Sequence, residues 1–200
     1  MAKCFDVTGY VEPCNVVRQK YTGRALLITG NGSTGSLSPT FSTNGLEVTA
    51  LFEISGFSGA EGFVKKWTEG GGKALPVIID AQNPFGVTVQ GNTDSGRVSY
   101  TKTIPVTIPA TRDGKAEAFI MGLQKGLYGS SAVVLETFDF ADANDIFGTY
   151  SPVSIDPTSV TRSEYENGGA WTFNLVCEEK VPNVICKMTG LGAALDELNA

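Results

Sequence analysis

A chain of 200 residues can bury one good core and lies near the upper end for a single all-β domain, so residues 1–200 are read as one β-sandwich structural domain. With 42% hydrophobic residues, 18% charged residues and 24 Gly, the composition is that of an ordinary globular protein. A net charge of −6 argues against tight binding to nucleic acid phosphates, and the lack of any histidine excludes Ser-His-Asp, Cys-His and HExxH chemistry.

The first residues, Met1-Ala2-Lys3-Cys4-Phe5-Asp6, show no basic segment leading into an apolar one, and no apolar stretch reaches the roughly 18 residues of a membrane helix. The expectation is a chain neither exported nor inserted in a membrane. Cys4, Cys14, Cys177 and Cys186 match no zinc or redox spacing and are read as buried or idle thiols. Gly30-Asn31-Gly32-Ser33-Thr34-Gly35 satisfies G-x-G-x-x-G, yet Ser36-Leu37-Ser38-Pro39 follows where a helix should open under a pyrophosphate, so a hairpin loop is expected.

Turn dipeptides alternate with β-branched and aromatic runs along most of the chain. The turn candidates are Asn31-Gly32, Asn44-Gly45, Asp94-Ser95-Gly96, Asp113-Gly114 and Asn167-Gly168-Gly169. Strands are expected at 25–29, 46–54, 75–79, 85–90, 97–108, 116–121, 132–137, 159–165 and 170–177. Between them, Ser58-Gly59-Ala60-Glu61 is a capping-box pattern that opens a helix carrying Phe63, Val64 and Trp67 on one face. That helix should stop at Gly70-Gly71-Gly72. Gly70-Gly71-Gly72-Lys73 is read as a linker after the helix, because Ala74 stands where a phosphate loop places Ser or Thr.

The segment from Arg97 to Ile108 alternates apolar and polar side chains, which predicts one buried face and one that is wet or faces another subunit. Pro105 and Pro109 cannot donate to a ladder, so this strand should reach a sheet edge there. Asp139, Asp142, Asn144 and Asp145 are read as a solvated loop, since Ile146 and Phe147 break any EF-hand pattern. Glu164, Glu166, Glu178 and Glu179 are read as exposed charge on a sheet, and Phe138, Phe140, Tyr150, Trp171 and Phe173 as core. A weaker helix signal runs from Gly192 to Leu198. The fold class is therefore mainly β, an antiparallel sandwich or barrel with one packed helix and a short C-terminal helix. No catalytic, metal-binding or cofactor-binding residue emerges, and no enzyme is expected.

Phe119-Ile120-Met121-Gly122-Leu123-Gln124-Lys125-Gly126-Leu127-Tyr128, then Gly148, then Asn167-Gly168-Gly169-Ala170-Trp171-Thr172-Phe173-Asn174-Leu175 and Glu178-Glu179-Lys180-Val181-Pro182, form a pattern over a third to a half of the chain. It resembles tail-tube-like virion proteins of phages infecting Bacteroidetes, in which an apolar strand leads to G-L, a glycine turn, N-G and a strand closing on E-E-K. The resemblance implies a small β-sandwich whose inner strands join around a ring into a continuous barrel, in rings, usually hexameric, that stack. Its partners are then copies of itself, other tail or connector proteins, and duplex DNA that passes through the lumen without specific binding. Residues 97–108 would line the lumen or join rings, and the 30–45 region would reach between rings. A capsid decoration or head–tail connector protein is the alternative, and a secreted carbohydrate-binding or adhesin module the next.

Overall fold

The structure is a computed structural model that describes residues 21–29, 47–48, 59–69, 72–78, 86–94, 96–110, 113–124, 131–137, 143–148, 150–165, 168–180, 182 and 185–200. In chain order its elements are β1 (Tyr21–Thr29), β2 (Glu47–Val48), α1 (Gly59–Glu69), β3 (Lys73–Ile78), β4 (Thr88–Asp94), β5 (Arg97–Pro109) and α2 (Lys115–Gln124). These are followed by β6 (Ser131–Thr137), β7 (Ala143–Phe147), β8 (Ser154–Tyr165), β9 (Gly168–Glu179), β10 (Ile185–Lys187) and α3 (Leu191–Asn199).

The strands form two open sheets, so the molecule is a sandwich and not a closed barrel. The first has the order β2-β10-β7-β6-β1-β3 and the second β4-β5-β9-β8. Every ladder is antiparallel except the short one between β2 and β10. Alternation along the strands of the first sheet divides their side chains between two cores. Ala25, Leu27, Val133, Leu135 and Phe147 face the second sheet and meet Ile104, Val106, Ile155, Phe173 and Leu175. Leu26, Ile28, Val134 and Ile146 face the opposite way and meet Leu191, Ala194 and Leu195 of α3 together with Ala60 and Val64 of α1. The result is three layers: four-stranded sheet, six-stranded sheet, helices.

Most of the expected strands are present. The alternating segment is β5, with Lys102, Ile104 and Val106 buried on one face. The partner strand β4 reaches only to the Thr88–Thr103 pair, so Pro105 and Pro109 bond to β9 alone among the described residues, as their missing N–H groups require. Gly96, with φ of 80°, closes the β4–β5 hairpin, a conformation that a side chain at this position would oppose. The helix from Gly59 and the C-terminal helix are also present.

One expected strand is a helix instead. Residues 116–121 belong to α2, because the Asp113 carboxylate accepts from the Lys115 backbone N–H at 3.1 Å and starts a turn that Ala, Glu and Met residues sustain. The four-residue spacing of buried Ala116 and Ile120 was the helical signal in that run, and α2 closes the end of the sandwich. Two short strands, β7 and β10, were not expected; β7 carries Asn144 and Asp145, residues that favour turns in isolation. Of the strand expected at 46–54 only β2 is described, and the loop candidates at 30–45 lie outside the described residues.

Candidate functional site

The inward register of β5 reads Tyr100, Lys102, Ile104, Val106, Ile108, and that of β9 reads Trp171, Phe173, Leu175, Cys177, Glu179, matched pair by pair in one ladder. Both rows are apolar toward α2 and become polar at the other end. There Lys102 lies opposite Cys177, and Glu179 follows on the same face. From the first sheet Asp145 joins them, two residues from Phe147 on the same side of β7.

All of this layer is sealed: Lys102 is 0% exposed, Glu179 1% and Asp145 2%. The Tyr21 hydroxyl donates to Asp145 Oδ2 at 2.5 Å, and the Gly148 backbone N–H donates to Glu179 Oε1 at 2.8 Å. The Lys102 ammonium lies 4.7 Å from the centre of the Phe147 ring, and no acceptor among the described residues hydrogen-bonds its Nζ. Burial pushes the Lys102 pKa below that of an ordinary lysine, against the opposing pull of Glu179, Cys177 and Asp145. Burial, reinforced by the negative charge of Glu179, pushes the Cys177 thiol up to about 12. Burial also raises the Tyr21 phenol above its ordinary range, with Asp145 acting in the same direction. An isolated buried ammonium is costly, so two carboxylates, a ring face and a thiol around one lysine form an interdependent group.

The opposite face of the second sheet is wet and different in chemistry. In its outward register β4 presents Thr88, Gln90, Asn92 and Asp94, β5 presents Ser99, Thr101, Thr103 and Thr107, and β9 presents Thr172 and Asn174. These side chains bond among themselves: Asn92 Nδ2 donates to Thr101 Oγ1 at 2.6 Å, and the hydroxyls of Thr107 and Thr172 are 3.3 Å apart. Thr161 and Ser163 of β8 continue the surface. Arg97, opposite Asp94 at the hairpin end, is the one cation in this register among the described residues. Asp94, Asp156 and Glu178 supply negative charge. The sheet has two lateral edges, β4 and β8.

Two sequence expectations are corrected here. Asn144 and Asp145 are not in a solvated loop but buried in β7, where Asn144 accepts from the Thr137 backbone N–H and donates to the Met188 carbonyl, both at 3.3 Å. Glu179 is not exposed sheet charge, although Glu164 and Glu178 are. Asp139, Asp142 and Glu166 lie outside the described residues, as do Phe138 and Phe140. Phe173 is core, whereas Tyr150 is 55% exposed. Trp171 is half-buried, with its indole N–H donating to Glu117 Oε1 at 3.0 Å and the Arg162 guanidinium over its ring. Among the described residues no three His, Cys, Asp or Glu side chains gather as metal ligands, and no helix is long and apolar enough to cross a membrane. Comparison of the chain with models of known protein families, with curated proteins and with solved structures returns no match.

Proposed function

We propose that this chain is a structural virion protein, a subunit of a phage tail tube that assembles into stacked, hexameric rings around a channel for DNA delivery. The observation that carries the reading is the outward face of the four-stranded sheet, rich in hydroxyls and amides and, among the described residues, nearly free of cations and unpaired at its two edges. A conduit for duplex DNA needs such a surface, because each lysine or arginine facing a phosphate adds salt-dependent affinity and would retard passage. Open edges are liabilities in a monomer and are resolved when a neighbouring copy supplies the missing strand. In this arrangement β4 meets the regular 161–165 stretch of the next subunit's β8, beyond the bulge at 156–161. Six copies of a four-stranded sheet give about 24 strands, beyond the roughly 16–18 at which a barrel leaves a water-filled channel. The protein would be made and assembled in the bacterial cytoplasm and end in the virion tail, with no role as an enzyme and no membrane partner.

Negative-stain microscopy of the purified protein over a range of concentration and salt tests the reading. Hollow rings that stack, with an axial channel wide enough for duplex DNA, are expected. Monomers or discrete trimers that never stack would replace it with a decoration protein.

A further inference from the structure

The β4–β5 hairpin has an apolar face that its own subunit leaves half in water. Val89 lies opposite buried Lys102, and Tyr100 and Val98 follow Lys102 at alternate positions, so all three share the inward face of the sheet. Yet Val89 is 46% exposed and Val98 56%. The Tyr100 ring lies along the hairpin, where a Cβ added at Gly91 would stand 3.7 Å from its Cε1. The ladder to β9 starts at Tyr100, so among the described residues 91–94 and 97–99 pair only with each other. A two-stranded ribbon of this kind is marginal in water unless something packs on it.

At the other end of β5 a groove of about 400 Å³ opens between β3, the end of β5 and α2. Val77, Ile108, Pro109 and Phe119 line it, with Asp113 and Lys115 at its rim. Ile108 shares the face of Val98 but lies ten residues, or about 34 Å, further along the strand. The two apolar surfaces therefore cannot meet within one molecule, whereas a copy displaced along the strand brings them together without turning over.

The charges at the two ends are complementary. The hairpin tip carries Asp94 opposite Arg97, and the groove carries Lys115 3.4 Å from Asp113. Pro105 and Pro109 oppose strand addition at this edge of β5, so side chains make the contact. We propose that the β4–β5 hairpin of one copy docks into the groove between β3 and α2 of a second copy, with Asp94 facing Lys115 and Arg97 facing Asp113. The inference rests on the stacked-subunit reading above and names the surfaces that stack. Hairpin and groove are different surfaces at opposite ends of one strand, so the contact is heterologous and repeats along an axis without closing. It uses the face of the hairpin and leaves the backbone edge of β4 to a lateral neighbour.

Photocrosslinking between copies provides the test. Full-length protein with p-benzoylphenylalanine in place of Val98 is mixed with isotopically heavy wild type, irradiated and digested with trypsin. The light peptide 98–102 is expected to be joined to heavy peptide 103–112 or 116–125, or to Val77 within heavy 74–97. Joining to other heavy residues, or to none, overturns the proposal. Charge reversal reads the same contact without the probe: Asp94→Lys and Lys115→Glu should each raise the concentration needed for stacking about threefold, and the double variant should restore it. A double variant that stacks no better than either single one also overturns it. Microscopy of the same samples separates this inference from the tail-tube reading. Stacked hollow rings whose crosslinks map elsewhere sink the docking and leave the tube, whereas the expected crosslinks in chains that never form rings sink the tube and leave the docking.

Discussion

The Cys177 thiol shows how one position translates into a measurable pH dependence. Its pKa rises from 9.0 to about 12 on burial, so the folded protein holds the thiol proton more tightly than the unfolded chain does. The stabilisation linked to that proton is complete below about pH 9 and is lost as pH climbs toward about 12. Tyr21, also raised, acts in the same sense at alkaline pH. Urea titrations of the wild type and Cys177→Ala between these limits should differ in slope, with the variant losing less stability by on the order of a few kcal/mol at the alkaline end. Parallel curves would show that the thiol titrates the same way in the folded and unfolded states. Parity in the sequence already contained the lysine beside it: the row Val98, Tyr100, Lys102, Ile104, Val106, Ile108 puts a cation on the apolar face. Asp145 was less visible, because a five-residue strand holding Asn and Asp resembles a turn until its neighbours bury it.

Among the elements, α3 shows which contacts hold a layer in place. Leu195 is fully buried in the apolar cluster that also holds Leu26 and Ile146 of the first sheet. Arg24 of β1 reaches over to bond the Gly192 carbonyl and Asp196 Oδ1, each at 2.7 Å. Leu195→Ala removes buried volume and should destabilise the protein by about 2–5 kcal/mol in urea unfolding. Asp196 is 74% exposed in that ion pair, so Asp196→Ala should cost less than about 1 kcal/mol. Equal effects would mean that polar contacts, and not burial, dock the helix. The same balance explains α2: its Asp113-Gly114 start reads equally as a hairpin turn, and only the buried Ala116 and Ile120 one helical turn apart decide for a helix.

For the whole molecule the outward face of the four-stranded sheet is the feature with the widest consequence. Thr103, Thr107 and Thr172 lie in its outward register, away from the sealed lysine. Replacing all three by lysine should leave monomer unfolding within about 0.5 kcal/mol of wild type for each position, because surface substitutions away from buried features are nearly neutral. Assembled tubes of the variant should then retain duplex DNA at low salt and release it at high salt, while wild-type tubes retain none. Retention by neither would place this face outside the channel.

The sequence by itself determined the elements whose signal is local. Period-two alternation marked β5, a β-branched and aromatic run marked β9, Asp94-Ser95-Gly96 and Asn167-Gly168-Gly169 marked their hairpins, and apolar spacing marked α3. Composition excluded histidine chemistry outright. Only the tertiary structure decided which strands share a sheet, that a third layer of helices covers the six-stranded one, and that Lys102, Asp145 and Glu179 meet. Those three residues span 77 positions between Lys102 and Glu179 and come from both sheets, so their meeting depends on strand order and inter-sheet packing, which no local pattern encodes.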